Sequence, residues 1–444
     1  MKRASRLLAS GLFAAVLSLR CGGGGGPAPA TYTVTYDGNG NTGGTAPVDS
    51  KAYPTGHLVT VLGNIDALVK TGDTFAGWNT LSNGTGTAYA PGQTFPMGAS
   101  NVTLYAVWTV APNIVFVTST AYAPGALGGL AGADSDCQAR ATAANLPGTY
   151  KAWLSTSGTD EVDAIARLGA ASGWVRPDGK PFVDTIADLA SGNILYPPRL
   201  DEFGNDLGQA MVVTATASDG SLSTTSVTCG NYTDTTDTGN ILGGLSSAGS
   251  WLFTDYEAFP CATLAHLYCF QVDQVAAVSP TPVSGRRAFV TNGVFSSGGG
   301  PAVADALCAS EASAAGLSGT FLAALATTTA SARSRFDTTG APWVRADGLA
   351  LAPTAAALFT GEYTDVSLDM NADGTRRYDL WEVWSGAPGW DEVGTAAGTC
   401  SDYTSTAESS TAVIGLIGDT ALTTLLDLGT DYCSTGTRLI CLQE

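Results

Sequence analysis

The residues whose chemistry is most constrained by spacing are cysteines. Eight of the nine form the same series twice: Cys137, Cys229, Cys261 and Cys269 at intervals of 92, 32 and 8 residues, then Cys308, Cys400, Cys433 and Cys441 at 92, 33 and 8. Thiols in such a frame can bind a metal or oxidise. A zinc site is disfavoured because there is no C-x-x-C pair and the chain has only two histidines, His57 and His266. Disulfides are the expectation, and four cysteines allow three pairings. Residue context favours one. Cys137, Ala141 and Ala144 share a helix face, and Cys269 lies in the apolar run Leu267-Tyr268-Cys269-Phe270, so both point into a core. Cys229 and Cys261 sit in polar, loop-like surroundings. The expected bridges are Cys137–Cys269 and Cys229–Cys261, then Cys308–Cys441 and Cys400–Cys433. On the chain-entropy model a long bridge stabilises by roughly 4–5 kcal/mol.

Asp369-Met370-Asn371-Ala372-Asp373-Gly374-Thr375 has the D-x-N-x-D-G spacing of a calcium loop, in which oxygens at alternate positions converge where Gly lets the chain turn. Asp369, Asn371, Asp373 and Thr375 are therefore candidate calcium ligands. The twelfth position, however, is Leu380 rather than Glu, and a plain Asx-rich turn explains the same residues. Tyr378, Trp381, Trp384 and Trp390 crowd the same region; Trp384 reads as a core strand residue. Trp381 and Trp390 are candidate ligand contacts that could stack on a sugar or anchor a partner, with burial in the domain as the competing reading. An exposed Trp381/Trp390 surface would favour ligand binding, and a buried set would favour an architectural role. No G-x-S-x-G, H-E-x-x-H or phosphate loop occurs, so no catalytic residues are assigned and an enzyme is not expected. Acid pairs such as Asp201 and Glu202 leave a carboxylate-dependent hydrolase as the remaining catalytic alternative.

These residues need a scaffold, and composition bounds it. The chain has 444 residues, 55 of them Gly, with 13% charged residues, which points to turn-rich, mainly β domains. Net charge is −19, and removing a leader that carries Lys2, Arg3, Arg6, Arg20 and no acidic residue would take it to −23. Such a surface repels nucleic acid and anionic membranes.

Residues 1–20 have a basic start and an apolar run from Leu7 to Leu19, too short to span a bilayer and the right size for a secretory signal. Cys21 follows, then a Gly/Pro tether over 21–30. This arrangement resembles a bacterial lipoprotein signal with Cys21 as the lipidated residue, although Arg20 stands where that signal has a small residue. No later stretch is apolar enough to span a membrane, so the expected anchor is the lipid on Cys21.

Residues 31–110 read as a separate β unit. Tyr32-Thr33-Val34-Thr35-Tyr36 alternates like a strand, Asp37-Gly38-Asn39-Gly40 turns, and Phe75-Ala76-Gly77-Trp78 and Leu104-Tyr105-Ala106-Val107-Trp108 supply later strands. Phe75, Trp78, Tyr105 and Trp108 are expected in its core. The motifs VTYDGNG, TFAGWNT and TLYAVWT resemble the internalin-type B, or Listeria–Bacteroides, repeat. That resemblance implies a β-grasp-like module in a surface protein.

The repeated domains are expected at 113–273 and 287–444, joined by a linker over 274–286. Each opens with an apolar strand, Ile114–Thr118 or Ala288–Thr291, followed by a helix with Asp134 or Asp305 as the expected N-cap. Trp174-Val175-Arg176-Pro177-Asp178-Gly179 and Trp343-Val344-Arg345-Ala346-Asp347-Gly348 read as hairpins. The helix-to-last-strand bridge around an inner pair resembles the C-type lectin-like fold. The strings GADxxC, GTYKAWLS, WVRPDG and LYCF are similar to an uncharacterised bacterial family of that fold, also found in spirochaete lipoproteins. The likeness is weaker in the second copy, where Leu322-Ala323-Ala324-Leu325-Ala326 replaces Lys151-Ala152-Trp153-Leu154-Ser155. It implies extracellular binding; the sugar-binding strings E-P-N, Q-P-D and W-N-D are absent. The expected fold class is β-rich α+β: a small β-grasp-like module, then two tandem disulfide-closed lectin-like domains. The expected protein is secreted and held at the cell surface, as an outer-membrane lipoprotein. It would recognise an extracellular protein or glycan, touch membrane only through its lipid, and bind no nucleic acid. An architectural envelope protein without a ligand is the alternative.

Overall fold

The computed structural model describes residues 29–377 and 382–444, in two compact units that meet between Thr109 and Val110. The leader, Cys21 and most of the tether lie outside the described residues, as do Tyr378 and Trp381. The fold is a β-rich α+β arrangement.

In the first unit the strands Thr31–Asp37, Ala52–Pro54, Asp73–Asn79, Ala88–Tyr89 and Val102–Val110 form one sheet, with Thr31–Asp37 parallel to Val102–Val110. Val34, Tyr36, Leu104 and Ala106 alternate inward, so the period-2 pattern read from sequence is the buried face. Trp78 is fully buried; its Nε1–H donates to the Leu62 carbonyl at 2.9 Å and its ring meets Tyr36 edge-on at 4.7 Å. Phe75 packs between Trp78 and Trp108; of the four aromatics expected in the core Trp78 is buried there, Phe75 and Trp108 are half-buried against it, and Tyr105 is half-buried. Gly77 is required by close approach: a Cβ there would meet the Tyr89 carbonyl at 3.0 Å, with φ at +136°.

In the second unit both copies start from the same frame. Strand Asn113–Val117 lies between Trp174–Val175 and Tyr268–Gln271, and Tyr150–Ala152 pairs with the other edge of Tyr268–Gln271. Arg286–Val290, Trp343–Val344, Arg438–Gln443 and Phe321–Ala323 repeat this pattern. Helices Gly129–Ala143 and Pro301–Ala314 lie against these sheets and are clamped by Cys137–Cys269 and Cys308–Cys441; Cys229–Cys261 and Cys400–Cys433 close the loops. Both helices end where expected: Asn145 and Gly316 take positive φ, and Leu146 and Leu317 donate back to Ala141 and Ala312.

The expected helix starts need correction. Gly128 and Gly300 are the N-caps, and Asp134 and Asp305 lie inside their helices. Each carboxylate reaches sideways instead. Asp134 accepts the Ala152 amide at 2.9 Å and pairs with Arg167; Asp305 accepts the Ala323 amide at 2.9 Å and pairs with Arg335. Their task is to fix the helix to the neighbouring strand.

The two copies pack face to face within one unit. Ala248 bridges Asp419, its own counterpart 171 residues on, and the flanking bonds Gly249 N to Gly418 O and Thr420 N to Ser247 O make the contact nearly two-fold symmetric. Leu416 joins the core of the first copy, and Leu195 and Tyr196 pack against that of the second. An ion pair beside the contact has exchanged its ends. Backbone bonds align Arg199 with Asp369 and Asp206 with Arg376, since Val117 N bonds Leu200 O and Val290 N bonds Met370 O. Arg199 pairs with Asp206 at 2.8 Å and reaches across to the Thr364 carbonyl; Arg376 pairs with Asp369 at 2.7 Å and reaches across to the Ile194 carbonyl.

Candidate functional site

The calcium reading does not survive the geometry of its first ligand. The Asp369 carboxylate is buried and lies between Arg345 Nη1 at 3.1 Å and Arg376 Nη1 at 2.7 Å. Two guanidinium groups neutralise the charge that a cation would need. The remaining residues form a turn. Asn371 Nδ2 donates to Thr375 Oγ1, and Asp373 Oδ1 accepts the Thr375 amide and hydroxyl. The corresponding turn of the first copy is closed by Asp201, which accepts the Phe203 and Asn205 amides. Glu202 is not a free acid facing Asp201: its oxygens accept from Ser119 N and Oγ at 2.8 and 2.6 Å and face Arg140. Among the described residues no group of three or more His, Cys, Asp or Glu is placed to hold a metal.

The aromatic candidates separate. Trp384 is a buried strand residue whose Nε1–H donates to the Phe295 carbonyl at 3.2 Å. Trp390 is also buried, at 2% exposure, so it offers no open face for a sugar to stack on, and the expected stacking platform is corrected on that point. Its ring meets Phe359 edge-on at 5.4 Å, and Phe359 meets Trp343 in turn at 5.4 Å. Yet Trp390 lines an open cavity of about 580 Å³, together with Phe359, Glu362, Tyr363, Glu392 and Leu426. Its Nε1–H is buried without a hydrogen-bond partner, which costs about 1–3 kcal/mol.

The repeat explains how this arose. In the first copy a buried indole comes from Trp153, next to Ala152 in the edge strand, and its Nε1–H donates to Thr254 Oγ1 at 2.8 Å. In the second copy that position is Ala324, adjacent to Ala323, which pairs with Cys441. Trp390 supplies an indole to that core from the loop after strand Glu382–Trp384. The counterpart of Thr254 is Leu426, because Gly244 abuts Phe253 and Thr254 as Gly415 abuts Leu425 and Leu426. Leucine offers no side-chain acceptor at that position.

Three elements position the cavity. Helix Ala355–Thr360, capped by Thr354 Oγ1 on the Ala357 amide, brings Phe359. The loop carrying Trp390 is held by Arg333, whose amide donates to the Trp390 carbonyl and whose guanidinium pairs with Asp391 at 2.8 Å. Helix Leu422–Leu425 supplies the far wall. With Phe359, Pro388, Leu422 and Leu426 apolar, and Glu362, Asp391 and Glu392 acidic, the cavity suits a neutral or cationic ligand with an apolar part. The first copy has a smaller counterpart of about 330 Å³, lined by Ala190, Ser191, Ser218, Trp251 and Asp255. Burial holds the Asp255 carboxyl above the usual carboxylate range, against the opposing hydrogen bond from the Ser218 amide. The sequence reading named Trp390 but missed Phe359, Tyr363 and Glu362. The loss of Trp153 in Leu322-Ala323-Ala324-Leu325-Ala326 was the signal that a second aromatic must have moved in.

Comparison with known proteins bears on the first unit. Residues 32–107 match the Listeria–Bacteroides repeat domain. A protein of Evansella cellulosilytica named "Putative membrane protein" is 43% identical over 72 residues, which is 16% of this chain and 10% of that protein. A second from the same organism, named "Putative Gly-rich membrane protein", is 58% identical over 43 residues, 10% of this chain and 5% of its own length. The chain thus spans a small fraction of either relative. Among the described residues no helix is long and apolar enough to cross a membrane.

Proposed function

We propose that this is a secreted, lipid-anchored cell-surface protein that recognises an extracellular protein or glycan through tandem lectin-like domains, without enzymatic activity. The observation that supports the reading is an open cavity of about 580 Å³ lined by Phe359, Trp390 and Leu426 together with the acidic Glu362, Asp391 and Glu392. Anchoring through Cys21 rests on the basic and apolar leader. Association with a membrane or surface is supported by the relatives' names.

The test is to screen the mature chain on glycan and extracellular-protein arrays, then compare Glu362→Gln, which keeps the size of that lining side chain and removes its charge. Binding is expected without added calcium and about tenfold weaker in the variant, the order of one hydrogen bond. Silent arrays, or a variant that binds unchanged, would reject the cavity. One observation favours the second reading, an architectural envelope protein: the Trp390 ring is packed rather than displayed.

A further inference from the structure

We propose that the second copy holds a pocket for a cationic side chain, the guanidinium or ammonium group of a basic protein segment, where helix Pro301–Ala314 meets the loop of residues 371–373. The proposal is independent of the Trp390 cavity. It rests on a corner that the first copy fills with its own side chains. There Glu202 turns back onto Ser119 and faces Arg140 of the helix, carboxylate to guanidinium, at 3.5 Å. Aligning Cys137 with Cys308 puts Glu311 in place of Arg140, and the turn alignment puts Ala372 in place of Glu202. The helix residue has changed sign and its partner has become a methyl group. Glu311 instead accepts the Asn292 and Gly293 amides at 2.7 and 2.6 Å. A cavity of about 190 Å³ remains, lined by Asn292, Glu311, Asn371, Ala372 and Asp373. A second of about 180 Å³ shares Asn371, Ala372 and Asp373.

What lines this space accepts hydrogen bonds. Glu311 and Asp373 are carboxylates, and Asn371, 5% exposed and lining both cavities, has a buried Oδ1 with no partner while its amide nitrogen serves Thr375. Of the nearby cations, Arg377 stands at the edge of the cavity, where its Nη1 donates to Asn292 Oδ1, and Arg287 Nη1 donates to the Arg345 carbonyl. The charge exchange at Arg199–Asp206 and Asp369–Arg376 shows the same repeat inverting a pair with both partners retained. At Glu311 the repeat has an anion where the first copy has Arg140, with Ala372 in place of its partner, and the proposed cation comes from outside.

The experiment records TROSY spectra of the mature chain titrated with Nα-acetyl-arginine amide, with the neutral isostere Nα-acetyl-citrulline amide, and with calcium chloride. The arginine derivative is expected to shift the Asn292, Gly293 and Ala372 amides, and citrulline to leave them in place. Glu311→Gln should weaken the response about tenfold, as for a lost charge-assisted bond. Ala372→Arg should abolish it by supplying the cation in cis, with the rest of the spectrum unchanged, so the result does not depend on how well the Glu311 variant folds. Equal response to citrulline, an unaltered response in Ala372→Arg, or tighter response of the same amides to calcium would overturn the proposal.

Discussion

Replacing Asp369 by Ala separates two accounts of the 369–375 loop. In the structure Asp369 is 1% exposed and Arg345 is fully buried, and the carboxylate joins Arg345 to Arg376. Arg345 keeps Asp347 at 2.6 Å and the Ser367 carbonyl at 3.0 Å. Arg376 keeps only the Ile194 carbonyl across the contact between copies. Removing one partner of a buried ion pair costs about 3–5 kcal/mol, because the other charge stays buried; the bonds left to Arg345 put the expectation at the lower end, about 3 kcal/mol. Urea denaturation of the 110–444 region, monitored in the full chain in EGTA and again in calcium, should show the same loss in both. Asp369→Arg combined with Arg376→Asp recreates the orientation of Arg199 and Asp206 and should recover part of it. A loss under about 1 kcal/mol, or one seen only with calcium present, would refute the ion triad as the organiser of this loop.

The other predictions concern the scaffold. Expressed without residues 280–444, the first copy exposes the face centred on Ala248 and loses Leu416 from its core; it should self-associate, and a stable monomer by sedimentation would contradict the shared core. Asp178 and Asp347 are held below the usual carboxylate range: burial alone would raise both, but the ion pairs with Arg176 and Arg345 outweigh it. A depressed folded pKa stabilises above the unfolded value and is lost as pH falls, so the urea midpoint should drop progressively below about pH 4; a flat acid limb would exclude these pairs as contributors. Mass mapping of the native protein should find eight half-cystines paired within copies, 132 and 32 residues apart in the first and 133 and 33 in the second.

Much of the frame was legible because cysteine spacing, period-2 strands and Asp-Gly turns each carry a local physical signal. The bridge partners followed from which cysteines sat on apolar faces. Asp134 and Asp305 were misread because an acid near a helix start looks the same whether it caps the backbone or pairs with a distant arginine. Arg167 and Arg335, which decide the matter, lie 33 and 30 residues on. The calcium spacing misled for a similar reason: D-x-N-x-D-G fixes a turn, whereas the partners of its first carboxylate come from Arg345 and Arg376 and are set by tertiary packing. The contact between the copies left no trace in composition, since Ser246-Ser247-Ala248-Gly249 reads as an ordinary loop.

That contact also orders the differences between the copies. At the ion pair beside it, both charges changed together, so each copy still sends an arginine to a carbonyl of the other. Away from it the changes are unmatched: Trp153 becomes Ala324, Thr254 becomes Leu426, and Glu202 becomes Ala372. The second copy is left with two buried polar atoms without partners near these changes, Trp390 Nε1 and Asn371 Oδ1. Transplanting Trp153 and Thr254 into the second copy as Ala324→Trp, Leu426→Thr and Trp390→Gly should therefore raise its stability and abolish ligand capture. A graft that stabilises yet still binds would place recognition elsewhere on the protein.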